Sequence, residues 1–354
     1  ILARLPILAD SRSALLLPGL FATPAFTTIF GMTVGVVYWK HLSDPVRFPQ
    51  ARRRILRRSV LVAGVALLIW AMVIIQNFMD HKIEHHIEFY LFSSYSIMLF
   101  YAMAVPSLVF WLPAIRRNPV ALAFGFGALL WCLEFWVASG SWLTTQKPLL
   151  ENYLCMIFFS GFYAYVPLMG LALLAMPLGY WLRNQNSTPC LAMTMLIGLG
   201  CVGVAVLIGA GIGELEALLS GRVKALRSPP RFWYFSFFGG LMIMLVALLG
   251  LVTERSATIR AILTPLARLG RRPLLVYATH MLILPCVSLT SLLLGTESTL
   301  ATMAILFGFF AFYLWLAFHP TPGERLIDDQ KDSIPQLTLR PYSSNAINTA
   351  GESH

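Results

Sequence analysis

"FWYFSFFGGLMIMLVALLGLV", residues 232–252, contains no Asp, Glu, Lys or Arg. A helix rising ~1.5 Å per residue over this run matches a hydrocarbon core about 30 Å thick. Such a run is too long and too uniformly apolar for one face of a soluble helix. It reads as a membrane span, and the question becomes how many more the chain contains.

The whole chain points the same way. Its 354 residues are 58% hydrophobic and only 12% charged, whereas a soluble domain is about one quarter charged. Mean hydropathy is +0.72. The span criterion gives about nine candidates, near 15–39, 59–78, 91–112, 119–138, 154–180, 191–212, 232–252, 272–293 and 299–318. The fifth carries Pro167 and Pro177, which predicts a kink or a re-entrant turn. The expected fold is therefore all-α: a polytopic membrane bundle over residues 1–318. A polar, proline-containing and partly disordered tail follows over 319–354. The five cysteines (Cys132, Cys155, Cys190, Cys201 and Cys286) show no C-x-x-C spacing. They read as small core residues rather than a disulfide or zinc framework.

The formal net charge of +10 is unevenly spread. The 40–58 loop holds Lys40, Arg47, Arg52, Arg53, Arg54, Arg57 and Arg58. Arg116, Arg117, Arg183 and the series Arg255, Arg260, Arg268, Arg271 and Arg272 mark alternate later loops. The positive-inside rule puts these loops in the cytoplasm. The 213–231 loop, with Arg222, Lys224, Arg227 and Arg231, is an exception. Nine spans with a cytoplasmic C-terminus would place Ile1 outside, so a tenth helix is expected upstream of it. The expected location is a membrane, with the C-terminus in the cytoplasm.

Ionisable residues inside spans are functional candidates. Glu134 lies toward the outer end of the fourth span and His280 near the middle of the eighth. A packed, hydrogen-bonded polar group is the competing reading for each. The second loop reads "MDHKIEHHIEF" (79–89), in which His81, Glu84 and His85 match H-x-x-E-H. No convincing third ligand accompanies them, so no zinc is expected. Two readings stand beside each other: an interfacial polar segment with Asp80, Glu84 and Glu88 spaced by four, or a loop in which Asp80, His81 and His85 line an outward-facing site for a polar, sugar-like substrate. Arg271, Arg272 and Pro273 open the helix that carries His280. Arginines at a helix start suit a phosphate-rich cofactor such as a CoA ester.

Three segments carry a resemblance. "LARLGRRPLLVYATHMLIL" (266–284) resembles a late helix of the membrane acyltransferases. "SPPRFWYFSFFGGLMIMLVALLG" (228–250) resembles the helix before it in bacterial relatives of heparan-α-glucosaminide N-acetyltransferase. "FATPAFTTIFGMTVGVVYW" (21–39) resembles their early helix, with Pro24 and Gly31 as its proline and glycine. The order and spacing of all three agree, and residues 40–225 match only in hydropathy. The resemblance implies a multi-pass enzyme of a bacterial inner membrane, moving an acyl group, usually acetyl, from cytoplasmic acyl-CoA to a glycan or other acceptor. Those families tend to have a functional histidine or basic pair in or just after the first helix. Here no histidine precedes His41, and the comparable position falls near Asp10.

The resulting expectation is an acyl-CoA-dependent transferase with no metal. His280 would be its general base or acyl carrier, and Glu134 a second catalytic candidate that meets the acceptor on the outer side. Arg268, Arg271, Arg272 and Tyr277 would hold the donor, and Asp80, His81 and His85 the acceptor. Membrane lipids, a glycan or lipid-linked acceptor and a second copy or larger membrane complex are the expected partners, with no nucleic acid. Two rivals use the same polar residues: a transporter or flippase for a polar or lipid-linked solute, and a non-catalytic membrane subunit.

Overall fold

The structure, a computed structural model, describes residues 12–42, 46–79, 97–139, 153–161, 163–184, 188–215, 231–270, 275–276, 279, 283 and 299–319. Among the described residues all regular structure is helical. In chain order the helices are α1 (Arg12–Leu42), α2 (Arg47–Met79), α3 (Ile97–Ile115), α4 (Pro119–Ser139) and α5 (Tyr165–Asn184). They continue with α6 (Thr188–Gly211), α7 (Phe232–Arg255), α8 (Ala257–Gly270) and α9 (Thr299–Phe318).

Among the described residues six helices are long and apolar enough to cross a membrane: α1, α2, α3, α5, α6 and α7. Two shorter apolar stretches, Pro119–Leu133 in α4 and Met303–Phe318 in α9, coincide with the expected fourth and ninth spans. Most of the expected eighth span, 272–293, lies outside the described residues. The expected fifth span, 154–180, is not one helix. A π-helical turn, Met156–Ser160, ends at Gly161, whose backbone is extended at φ −78 and ψ 167. The chain re-enters helix at Tyr165. Pro167 falls in the first turn of α5, where the missing N–H needs no intrahelical partner.

The helices differ from those of a soluble bundle in carrying large apolar side chains on their exposed faces as well as in the core. On α6 the buried residues are mostly small: Cys190, Thr194, Gly198, Ala205 and Gly209, with Leu191 as the one large side chain. Leu196, Val204 and Leu207 point outward, the last 74% exposed. Phe110 on α3 and Phe307 and Phe310 on α9 are likewise exposed. A helix that buries small residues and presents leucine outward is built to face lipid and to approach its neighbour closely.

Three close helix pairs use this device. In the antiparallel α6–α7 pair, a Cβ on Gly198 would lie 2.8 Å from the Gly240 carbonyl oxygen. Farther along, Gly209 receives the Trp233 ring and Gly250 receives Leu191. Antiparallel α4 and α5 meet at Gly127 and Gly170, with Trp131 across the latter. α1 and α5 run parallel: Gly31 abuts the backbone of Ala172, Gly35 that of Met176, and Gly179 that of Met32. Around these seams sits an aromatic core of Phe100, Trp233, Tyr234, Phe235 and Phe238. Its rings meet edge to face, as in Tyr234–Phe238 at 5.0 Å and Trp131–Phe232 at 4.8 Å.

Buried hydroxyls are mostly satisfied within their own helix. Thr27 donates to the Thr23 carbonyl, Ser59 to Ile55 and Thr194 to Cys190, each at 2.9 Å. Thr28 Oγ1 and Trp131 Nε1 are buried without a hydrogen-bond partner among the described residues. The described cysteines are free; Cys190 is buried and Cys155 and Cys201 half-buried, but Cys132 is exposed rather than in the core.

The α6–α7 turn explains part of the charge exception. α6 ends in a left-handed Gly213 at φ 72. The N–H of Glu214 bonds the Gly209 carbonyl at 2.9 Å and that of Gly213 bonds Ala210 at 3.1 Å, the Schellman pattern. This aims the Glu214 carboxylate at the start of α7. It accepts from Trp233 Nε1 at 2.7 Å and pairs with Arg231 at 3.2 Å. One cation of the anomalous loop is therefore neutralised where it stands. Glu214→Ala strips the deeply buried Trp233 ring of its N–H partner, and a lost hydrogen bond of this kind costs about 1–3 kcal/mol. The expected result is a lower melting temperature in detergent, largely restored by Glu214→Gln, whose amide oxygen still accepts from the indole.

Candidate functional site

The ends of the helices sort the charge. The C-terminal part of α1 and the N-terminal part of α2 adjoin, because Arg58 donates to the Tyr38 hydroxyl at 3.2 Å. The end of α5 joins them: Tyr180 stacks on Trp39 at 4.6 Å, and Arg183 donates to the Val36 carbonyl. α2 starts as a helix here because Ala51, Ile55 and Ser59, spaced by four, are buried, which turns Arg52, Arg53, Arg54, Arg57 and Arg58 to the exposed faces. Arg116 and Arg117 close α3 in the short turn before α4. The α2 arginines thus form an exposed cluster of guanidinium groups, each offering a planar fork of donors suited to phosphate or carboxylate oxygens.

The residues named from sequence are only partly described. Arg268 is half-buried in the last turn of α8. Glu134 belongs to α4, but its side chain lies outside the described residues. Arg271, Arg272, Tyr277 and His280, and Asp80, His81 and His85, also lie outside them. Among the described residues no group of three His, Cys, Asp or Glu side chains is placed to hold a metal ion.

The described parts of the His280 segment reveal a contact that sequence reading missed. Leu275, Val276, Thr279 and Ile283 are helical, and Ile283 is buried. Thr279 Oγ1 bonds back to the Leu275 carbonyl at 2.8 Å and lies 3.0 Å from the Tyr313 hydroxyl of α9. That hydroxyl also donates to the Val276 carbonyl at 3.4 Å. Tyr313 thus holds Val276 and Thr279, the latter one residue before His280 in the sequence. Its only sequence signal is a tyrosine within an otherwise apolar span. Tyr313→Phe removes these bonds, and the expected loss is about 1 kcal/mol, measurable as a fall in thermal stability in detergent.

Comparison with protein-family models, curated proteins and solved structures returns no match to this chain.

Proposed function

We propose that this chain is a multi-pass membrane acyltransferase that moves an acyl group, acetyl being the simplest, from acyl-CoA to a carbohydrate-type acceptor. The observation that carries the reading is the guanidinium field at one end of the bundle, Arg52–Arg58 of α2 with Arg58 fixed on Tyr38. The sequence adds Arg271 and Arg272 after α8, at the start of the run that holds His280. Clustered arginines suit the phosphates of CoA, and an imidazole within the membrane suits proton transfer near neutral pH.

In this mechanism Arg268, Arg271 and Arg272 hold the donor's phosphates, with Tyr277 alongside. His280 takes the proton from the acceptor hydroxyl or amine as that atom attacks the thioester carbonyl. The new C–O or C–N bond forms, the C–S bond breaks, and the proton passes from His280 to the departing thiolate. Glu134, Asp80, His81 and His85 serve the acceptor from the opposite side. In this reading the chain makes nine spans, in a bacterial inner membrane with a cytoplasmic C-terminus. Purified protein in liposomes should convert acyl-CoA and acceptor to acylated acceptor and free CoA. Movement of solute into the lumen with no covalent product would instead make it a transporter.

The orientation gives its own test. Single cysteines in 40–58 and on the polar side of 253–272, such as position 261, should react with an impermeant maleimide only from the cytoplasmic side, and one at position 84 only from outside. Cytoplasmic labelling at 84 would place the proposed acceptor residues on the donor side and overturn the mechanism.

A further inference from the structure

α8 does not fit the role of a span. It has 14 residues, so at ~1.5 Å rise it reaches about 21 Å, short of a core about 30 Å thick. It is strongly two-faced. Ile259, Ile262, Leu263 and Leu266 fall at i, i+3, i+4 and i+7, while Arg260, Thr264 and Arg268 occupy the other side. Ile259 and Leu263 are half-buried, but Ile262 is 66% and Leu266 62% exposed. From Arg255 to Gly270 there is no acidic residue.

Its position is fixed by a built elbow at the end of the spanning helix α7. Ser256 is extended, at φ −131 and ψ 113, and ends α7. Its Oγ accepts from the Ile259 N–H at 3.3 Å, capping α8. Arg260 folds back and donates from Nε and Nη2 to the Thr253 carbonyl at 3.1 and 2.8 Å. That carbonyl would otherwise be an orphan of the last turn of α7. The elbow therefore holds α8 at the end of the apolar helix α7, with α9 in contact with it.

We infer that α8 lies in the membrane interface, its Ile262–Leu266 face in the acyl chains, and that Arg255 and Arg260 recruit acidic phospholipid headgroups there. The charge is complementary, the helix carries no anion to repel such lipids, and apolar face plus arginine side is the form that interfacial helices take. Arginine stems lying along the boundary keep their guanidinium groups at headgroup depth. The inference stands whether or not the chain transfers acyl groups.

The test uses the full chain in nanodiscs of phosphatidylcholine and phosphatidylglycerol, in a background with the native cysteines replaced by alanine. Nitroxides are placed on Ile262→Cys, Leu266→Cys and, on the polar side, Ala261→Cys. Power saturation should show oxygen collisions dominating at 262 and 266 and nickel-chelate collisions dominating at 261. Lipid retained by purified protein should be enriched several-fold in phosphatidylglycerol over phosphatidylcholine, and Arg255→Gln with Arg260→Gln should at least halve that enrichment. Arg255→Gln alone leaves the elbow bonds intact and should lower it in part, which keeps the test open if the double variant misfolds. Equal nickel access at 261 and 266 overturns the interfacial placement. An unchanged lipid ratio in both variants overturns the headgroup assignment.

Discussion

Gly35→Leu is expected to prevent stable assembly of the bundle. Gly35 faces the Met176 backbone across the α1–α5 seam, and the atom that an added Cβ would meet is a carbonyl oxygen, not the end of a flexible side chain. Gly31 against Ala172 and Gly179 against Met32 hold the same seam, so the two helices cannot separate locally at one point. Overpacking that a side chain can absorb costs about 1–3 kcal/mol, and a backbone contact should reach or exceed the top of that range. The comparison variant is Gly203→Ala on α6, where an added Cβ meets nothing within 4 Å. It should be neutral or stabilise, because alanine is the better helix former by about 1 kcal/mol. The measurement is the monodisperse yield and thermal midpoint of each variant in the same detergent. A folded Gly35→Leu protein with the parental midpoint would show that α1 and α5 do not meet at this seam.

His280→Ala should abolish most acyl transfer while leaving the fold intact. A positioned general base contributes about 10²- to 10⁴-fold to rate. Arg271→Ala and Arg272→Ala should act on donor affinity instead. A hydrogen bond between charged groups is worth about 1.5–3 kcal/mol, so each should weaken acyl-CoA binding by roughly tenfold or more. Tyr313→Phe offers an intermediate case: its bonds reach Thr279 and Val276, so it should lower turnover through the placing of the helix while donor affinity stays near the parental value.

The helices were legible from sequence wherever an uncharged run had to satisfy its backbone within itself, as in residues 232–252, and α7 follows that run closely. At 154–180 the prolines announced an interruption but not its place; the break falls at the extended Gly161, before Pro167, where hydropathy carries no signal. Legibility failed at α8, where a resemblance in sequence drew attention to Arg271 and His280 and away from the amphipathic pattern just before them. The seams were written in the four-residue spacing of Gly31 and Gly35 and of Cys190, Thr194 and Gly198, a signal of close approach rather than of hydropathy. The Glu214–Arg231–Trp233 cluster was not legible, because its members come from both sides of a long connection and only the fold joins them. Of the candidate site, sequence supplied His280 and the paired arginines as residue types, whereas the fixing of Arg58 on Tyr38 and of Thr279 on Tyr313 needed the packed helices.

The central claim is that this bundle performs acyl transfer with His280 as its base. The most direct measurement is release of CoA coupled to acylated acceptor by the purified chain in nanodiscs, with donor binding measured on the same samples, for the parent and His280→Ala. The account predicts turnover in the parent, a loss of at least about 10²-fold in His280→Ala and unchanged donor affinity in both. Parental turnover in His280→Ala, or no covalent product from a parent that binds acyl-CoA, would contradict it.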